Sequence, residues 1–149
     1  MITPVDGFDL EKYLGTWYEI ARMPAPFEKG LVAVTATYGL KENGMVSVVN
    51  QGHKKTADGK ISIARGKAKF AGEPSKGHLR VSFFWIFFGD YIIVDLDKAN
   101  YQHALVCSPP KYAWILCRAP RLDKAILDKL IDKLKTLGYD TLRLIAVPQ

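Results

Sequence analysis

Hydrophobic and polar residues alternate with a period of two over most of the chain, as they do in strands that bury one face. In RGKAKFAG, Gly66, Ala68 and Phe70 fall on one side and Arg65, Lys67 and Lys69 on the other. HLRVSFF continues the pattern, with Leu79, Val81 and Phe83 opposed to Arg80 and Ser82, and MVSVVN groups Val46, Val48 and Asn50. Turn-forming residues separate the runs at Glu42-Asn43-Gly44, Asp58-Gly59, Glu73-Pro74 and Gly89-Asp90. The runs predict strands over residues 15–24, 30–40, 45–53, 61–70, 78–84, 90–96, 102–108 and 112–118. Eight short strands joined by short turns read as a sandwich or an antiparallel up-and-down barrel, an all-β fold.

Beyond residue 120 the period changes. Leu122, Ile126, Leu130 and Leu134 recur at every fourth position, with Leu127, Ile131 and Leu137 beside them. That spacing predicts an amphipathic helix, with Asp123 as its N-cap and Gly138 just past its C-terminal end. TLRLIAV then predicts a short final strand. A lone helix cannot bury such a stripe by itself, so it is expected to pack on the outside of the sheet. No repeat, low-complexity segment or linker divides the 149 residues, and one domain spanning 1–149 is expected. A chain of this length buries about 70% of its unfolded surface and needs no covalent staples.

One run breaks the alternation. VSFFWIFFGDY, residues 81–91, holds six consecutive apolar side chains from Phe83 to Phe88. It is far shorter than the roughly 20 residues of a transmembrane helix, and Arg80 and Asp90 bracket it. The opening residues, MITPVDGFDLEKY, lack the basic start and apolar stretch of a signal peptide. The net charge of +6 and a pI of about 9.3 favour anionic partners such as acidic lipid surfaces or nucleic acid. Lysines and arginines are nevertheless scattered, as in the pair Lys54-Lys55, rather than gathered into a stripe. They alternate outward while the aromatics point inward or gather in one loop, which argues against stacking bases along a charged groove. No nucleic-acid partner is expected.

Candidate chemistry is sparse. Cys107 and Cys117 flank CSPPKYAWILC, a strand-turn-strand pattern with Pro109-Pro110 at the turn. They stand at different heights of that hairpin, too far apart for a disulfide, and read as buried free thiols. His53, His78 and His103 are dispersed, and no His-x-x-His spacing or carboxylate cluster suggests a metal. No cofactor, metal site or catalytic residue is assigned.

YLGTWYEIAR, residues 13–22, resembles the signature of the lipocalins, in which Gly-x-Trp opens the first strand. FEKGLVAVTATYGLKENG, NYQHALVC and YAWILCRAP add matching pieces in the family's order, and the resemblance covers nearly the whole chain. It is strongest to the bacterial outer-membrane lipocalins and the apolipoprotein D type. The resemblance implies an eight-stranded calyx with one C-terminal helix packed outside and a short last strand. It also implies that Arg118, the family's arginine at the end of the last barrel strand, lies across the indole of Trp17 and closes the floor. Cation–π attraction and guanidinium stacking make that pairing physically sound. The family's second motif, usually Thr-Asp-Tyr, departs here: DLDKANY keeps Asp97 between Leu96 and Lys98.

The resemblance further implies a ligand cavity, and the alternation suggests its lining. Ala36, Tyr38, Val48, Asn50, Ala68, Phe70, Val81, Phe83, Tyr91, Ile93, Ala104, Val106, Trp114 and Leu116 share the inward parity. Small side chains at Ala36, Ala68 and Ala104 read as space left open, and Tyr38, Asn50 and Tyr91 as polar handles. Such a lining suits a fatty acid or lysophospholipid, because each buried CH₂ contributes about 0.8 kcal/mol. A flat hydrophobe such as a bilin, heme or sterol is the alternative. Glu19 shares the parity of Trp17 and is expected as a buried structural acceptor near the floor. With Trp17 at the closed end, Met23, Phe27, Trp85, Ile86, Phe87, Phe88 and Tyr112 fall at the mouth, beside Lys111. Three roles fit that apolar rim: contact with a membrane surface, a homodimer interface, or a loop folded over the cavity. Some lipocalins are isomerases through a cavity cysteine; here both cysteines share the outward parity, so a binder without a catalytic step is expected. The resemblance also implies a lipid-anchored protein on the periplasmic side of the outer membrane, serving envelope lipid maintenance, although this chain carries neither the leader nor the anchoring cysteine.

Overall fold

The computed structural model describes residues 2–83 and 87–149, with Phe87 seen through its backbone. Among these residues, nine strands form one antiparallel sheet: β1 (Gly15–Arg22), β2 (Leu31–Leu40), β3 (Val46–Lys54), β4 (Ile61–Phe70), β5 (His78–Phe83), β6 (Phe87–Leu96), β7 (His103–Ser108), β8 (Tyr112–Cys117) and β9 (Ile145–Ala146). Neighbours follow chain order from β2 to β8, and β1 pairs with both β8 and β2. Eight strands thus close into a barrel without free edges, and β9 adds to β1 outside it.

The alternation sorts side chains into two cores. Val46, Val48, Ala68, Leu79, Val81, Phe83 and Val106 point inward with Trp17 and Tyr38. Strands β6 to β8 are apolar on both faces, and their outer residues Ile92, Val94, Leu105, Cys107, Ala113 and Ile115 pack against α2 (Lys124–Thr136). Leu130 and Leu134 are the buried side chains of that helix. Asp123 holds the N-cap position, but its side chain makes no capping hydrogen bond; its carbonyl accepts from the Leu127 N–H. Gly138, with φ of +98°, carries the chain out of the helix in a conformation that side chains resist. Among the described residues no helix is long and apolar enough to cross a membrane.

The irregular places position the interior. First, β6 starts at Phe87, where Gly89-Asp90 had suggested a turn. Phe83 pairs with Phe87 and Ser82 with Phe88, so Phe87 and Phe88 belong to a strand rather than a loop. Asp90 lies opposite Arg80 and accepts from it at 3.2 Å and from His78 at 2.9 Å; cross-strand ion pairing holds this turn-prone residue in the ladder. Trp85 and Ile86, expected at the mouth, lie outside the described residues, as does Phe84.

Second, β1 carries a bulge. Glu19 pairs with Leu116, but Ala21 pairs with Ile115 and Arg22 with Trp114. The extra residue, Ile20, flips the parity. Ala21 turns out toward α2 and Arg22 turns in. Met23 is displaced by the same flip: it is buried under α2 in the outer core, not at the mouth.

Third, the residues before β1 enter the barrel from below. A short helix, α1 (Leu10–Tyr13), places Phe8 and Tyr13 in the inner core with Val5 and Leu10 against them. Hydrogen bonds from Val5 N–H to Ile93 O and from Phe8 N–H to Ser75 O tie the segment to the barrel.

Leu134 is fully buried between α2 and the barrel wall. Leu134→Ala is expected to cost about 2–5 kcal/mol, read as a lowered urea midpoint with an unchanged slope.

Candidate functional site

The floor is built around Arg118. Its guanidinium carbon lies 3.9 Å from the centroid of the Trp17 ring. Its Nη2 donates toward the carbonyls of Lys12, Tyr13 and Leu14, its Nη1 to Thr16 O and its Nε to Tyr101 O, all between 2.9 and 3.2 Å. The Trp17 indole N–H donates to Tyr13 O at 2.8 Å. Gly15 stands at φ +103°, and a Cβ there would meet Arg118 Nη1 at 3.2 Å. The Gly-x-Trp spacing therefore has a mechanical reason: the glycine clears the arginine that covers the tryptophan.

Above the floor, three tyrosines form a bar across the barrel. Tyr13 and Tyr91 share a hydrogen bond of 2.5 Å, and the Tyr91 hydroxyl donates to Tyr38 at 2.8 Å. Burial raises the pKa of all three above the usual phenol value, so they stay neutral. Below the bar only about 10 Å³ is open, because Phe8, Leu10 and Tyr13 fill the space beside Ala68. Phe70 packs on Phe8 with ring centroids 6.1 Å apart, and Ile93 lies against Gly77. Ala68, Phe70 and Ile93 thus face the interior below the void. Ala104 is wholly buried in the same core. The hydroxyls of Tyr38 and Tyr91 bond to each other instead of standing free as polar handles.

Above the bar the described residues line two chambers. The deep one, of about 40 Å³, is lined by Glu19, Phe27, Ala36, Tyr38, Val48, Asn50, Val81, Phe83, Tyr91, Val106, Trp114 and Leu116. The outer one, of about 260 Å³, lies among Phe27, Glu28, Leu31, Val34, Asn50, Gln51, Gly52, Ser62, Ile63, Ala64 and Phe83. Phe27, Asn50 and Phe83 border both. Small-molecule pockets start at roughly 300 Å³, so neither chamber alone reaches that size and the two together just do. Phe27, expected at the rim, instead dips inward from a 3₁₀ turn (Pro26–Glu28) and meets Tyr112 edge-on at 5.5 Å. Phe88 stands 69% exposed.

The sequence pattern missed a buried ionic cluster between the chambers. Arg22 Nη1 lies 3.3 Å from Glu19 Oε1 and 3.7 Å from Glu28 Oε2. Its Nη2 donates to the carbonyls of Glu28 and Leu31, stapling the β1–β2 connection over the barrel. Glu28 Oε1 accepts from the Trp114 indole at 2.7 Å. All three charged residues are at most 5% exposed. Burial, then the neighbouring Glu28 carboxyl, hold Glu19 well above the usual carboxylate range. Glu19 had been expected near the floor; it lines the deep chamber. Arg22 was hidden because only the bulge turns it inward. Pro26 at the first position of the 3₁₀ turn was the one local signal for Glu28.

The cysteines lie outside this cavity. Both are buried free thiols, and burial under α2 pushes Cys107 up to about 11. Cys107 is thereby kept from being an activated thiolate of the kind that nucleophilic chemistry needs.

Known proteins resemble the chain over its full length. A family model described as a lipocalin-like domain matches residues 8–149. The outer membrane lipoprotein Blc of Vibrio cholerae is 44% identical over 149 residues, covering 99% of this chain and 86% of that protein. The protein of the same name from Escherichia coli K12 is 42% identical, covering 99% and 83%. Among solved structures, insecticyanin of the tobacco hornworm Manduca sexta superposes with a TM-score of 0.79 at 21% identity, over 100% of this chain and 85% of that one, a likeness of fold.

A carboxyl whose pKa is raised by folding favours the folded state at low pH and opposes it above. Stability contributed by Glu19 is therefore lost as pH climbs from the ordinary carboxylate range through its raised value, at up to about 1.4 kcal/mol per pH unit. Denaturant midpoints measured across pH are expected to fall more steeply for the wild type than for Glu19→Gln.

Proposed function

The chain belongs to the lipocalin family, and on that premise we propose that it binds and carries a single-chain hydrophobic ligand, of the fatty acid or lysophospholipid kind, without a catalytic step. The observation that carries this reading is the pair of adjoining chambers, about 40 and 260 Å³, lined mainly by apolar side chains and separated by the rings of Phe27 and Phe83. Phe27, Asn50 and Phe83 border both chambers, and in this reading movement of either ring joins them into one space for an alkyl chain. Each methylene that enters contributes about 0.8 kcal/mol, less the cost of ordering the chain.

The named relatives are outer membrane lipoproteins, and the same setting is proposed for this chain: anchored at the outer membrane, facing the periplasm, in envelope lipid maintenance. The mouth supports contact with an anionic membrane surface. Phe88 offers an exposed ring at one side. At another, Lys29, Lys111 and Arg143 border an open groove of about 560 Å³ with Tyr112 and Ile145.

Two measurements test these readings. Ala36→Phe puts a ring into the deep chamber and is expected to weaken binding of a dodecyl-chain probe about tenfold, or 1.4 kcal/mol, by calorimetry. Unchanged affinity would move the ligand out of the barrel. In flotation with vesicles rich in anionic lipid, Phe88→Ser is expected to leave less protein with the vesicles than the wild type; equal flotation removes the rim from membrane contact.

A further inference from the structure

One short turn separates the chambers from the basic groove at the mouth. Pro26 borders the groove of about 560 Å³, while the next two residues, Phe27 and Glu28, line the chambers. Resting on the reading of the barrel as a carrier of lysophospholipid, we propose that this groove is the head-group site. It takes the phosphate of a single-chain lipid on Lys29, Lys111 and Arg143, and the alkyl chain crosses the Pro26–Glu28 turn into the outer chamber.

Charge is the first support. Every charged residue that lines the groove is basic: Arg22, Lys29, Lys111 and Arg143. The Arg22 guanidinium is already engaged with Glu19 and with the carbonyls of Glu28 and Leu31. The other three residues are exposed, and among the described residues none of their side chains makes an ion pair or a hydrogen bond. Elsewhere basic side chains do find acids, as Lys76 finds Asp6, Arg80 finds Asp90, Lys124 finds Asp128 and Lys133 finds Asp95. Cations that converge on a groove without a counter-charge complement an anion, and a phosphate offers oxygens to both the guanidinium fork and the ammonium groups.

Placement is the second. Three separate segments bring the cations together, each on a fixed backbone. Lys29 ends the first 3₁₀ turn, its N–H donating to Pro26 O at 3.4 Å. Lys111 sits in the β7–β8 turn beside Tyr112, whose carbonyl accepts from the Tyr139 hydroxyl at 3.0 Å. Arg143 ends a second 3₁₀ turn (Thr141–Arg143), two residues before Ile145 pairs with Arg22. Pro24, Pro26, Tyr112 and Ile145 give the groove an apolar side for a glycerol backbone.

The interior supplies the third. The chambers, about 40 and 260 Å³, hold a chain more readily than a head. Inside them Glu19 and Glu28 outnumber Arg22, so an anionic head that entered would lose its hydration without gaining a cation. A fatty acid likewise keeps its carboxylate at the mouth, but it lacks the glycerol that carries a phosphate across the turn.

Titration calorimetry without vesicles tests the site. It compares 1-dodecanoylglycerol 3-phosphate with 1-dodecanoylglycerol, each below its micelle concentration; the two share chain and spacer and differ by the phosphate. Wild type is expected to bind the phosphorylated lipid about tenfold tighter, by a margin that shrinks as salt is raised. Lys111→Gln/Arg143→Gln is expected to bring the two affinities together while the unphosphorylated lipid binds as before. Lys67→Gln/Lys69→Gln removes the same charge from the exposed outer wall of β4 and is expected to keep the margin. Loss of the margin there makes it an effect of net charge and overturns the groove. Equal wild-type affinities overturn the groove as well and leave the carrier reading standing. Inorganic phosphate at the same concentration is expected not to displace the lipid; displacement assigns the groove to the free ion and overturns the head-group site. Failure of both lipids to bind overturns the carrier reading and the head-group site together.

Discussion

The lower end of the barrel depends on one arginine. Arg118 lies flat on Trp17 and faces carbonyls from Lys12, Tyr13, Leu14, Thr16 and Tyr101, so a single guanidinium joins β8, α1, the start of β1 and the β6–β7 connection. Those carbonyls include ends that a short helix leaves without partners. A planar group with five donors can satisfy them and cover an indole at once; a lysine cannot. The rest follows from this seal: the segment carrying Phe8 and Tyr13 is held inside, and the tyrosine bar stands on it.

The upper half is governed by a different irregularity. Because β1 bulges at Ile20, Arg22 turns inward at the height of Trp114 and meets Glu19. β1 pairs with β2 only as far as Tyr18, β2 is itself irregular between Val32 and Thr35, and the C-terminal residues bond to both strands there. Ala146 and Ile145 pair with β1, Val147 N–H donates to Ile20 O, and Pro148 O accepts from Ala33 N–H at 2.6 Å. Arg22 then gathers the β1–β2 connection over the cavity through two carbonyls. One inserted residue thus brings an ionic cluster into an apolar interior.

Burying that cluster is costly unless its charges and hydrogen bonds are matched. The matching comes from Trp114 on one oxygen of Glu28, from Arg22 3.7 Å from the other, and from the two carbonyls that Arg22 also engages. Chemistry in this barrel is therefore uneven: apolar on most of its wall, with polarity concentrated at the junction between the chambers.

The alternation by itself determined the strands, the outer helix and most of the inward set, because period-two and period-3.6 burial are local properties that each strand or helix must satisfy alone, whereas it left sandwich and barrel both open and the closed sheet was expected from the family resemblance. Gly15, Trp17 and Arg118 were legible through the family resemblance, and the structure supplies its physical reason: the seal needs those residue types in those places. Only the tertiary structure decided the rest. Met23 was expected at the mouth and Arg22 was not singled out, since a bulge is stabilised by the partner strand and leaves no mark in the alternation. Asp90 read as a turn residue because its partners, Arg80 and His78, lie across the sheet. The small residue Ala68 suggested empty space, but what fills it, Phe8 and Tyr13, comes from residues distant in the chain. Volume, ionic pairing and strand register are set by contacts between segments, and those contacts exist only once the barrel has closed.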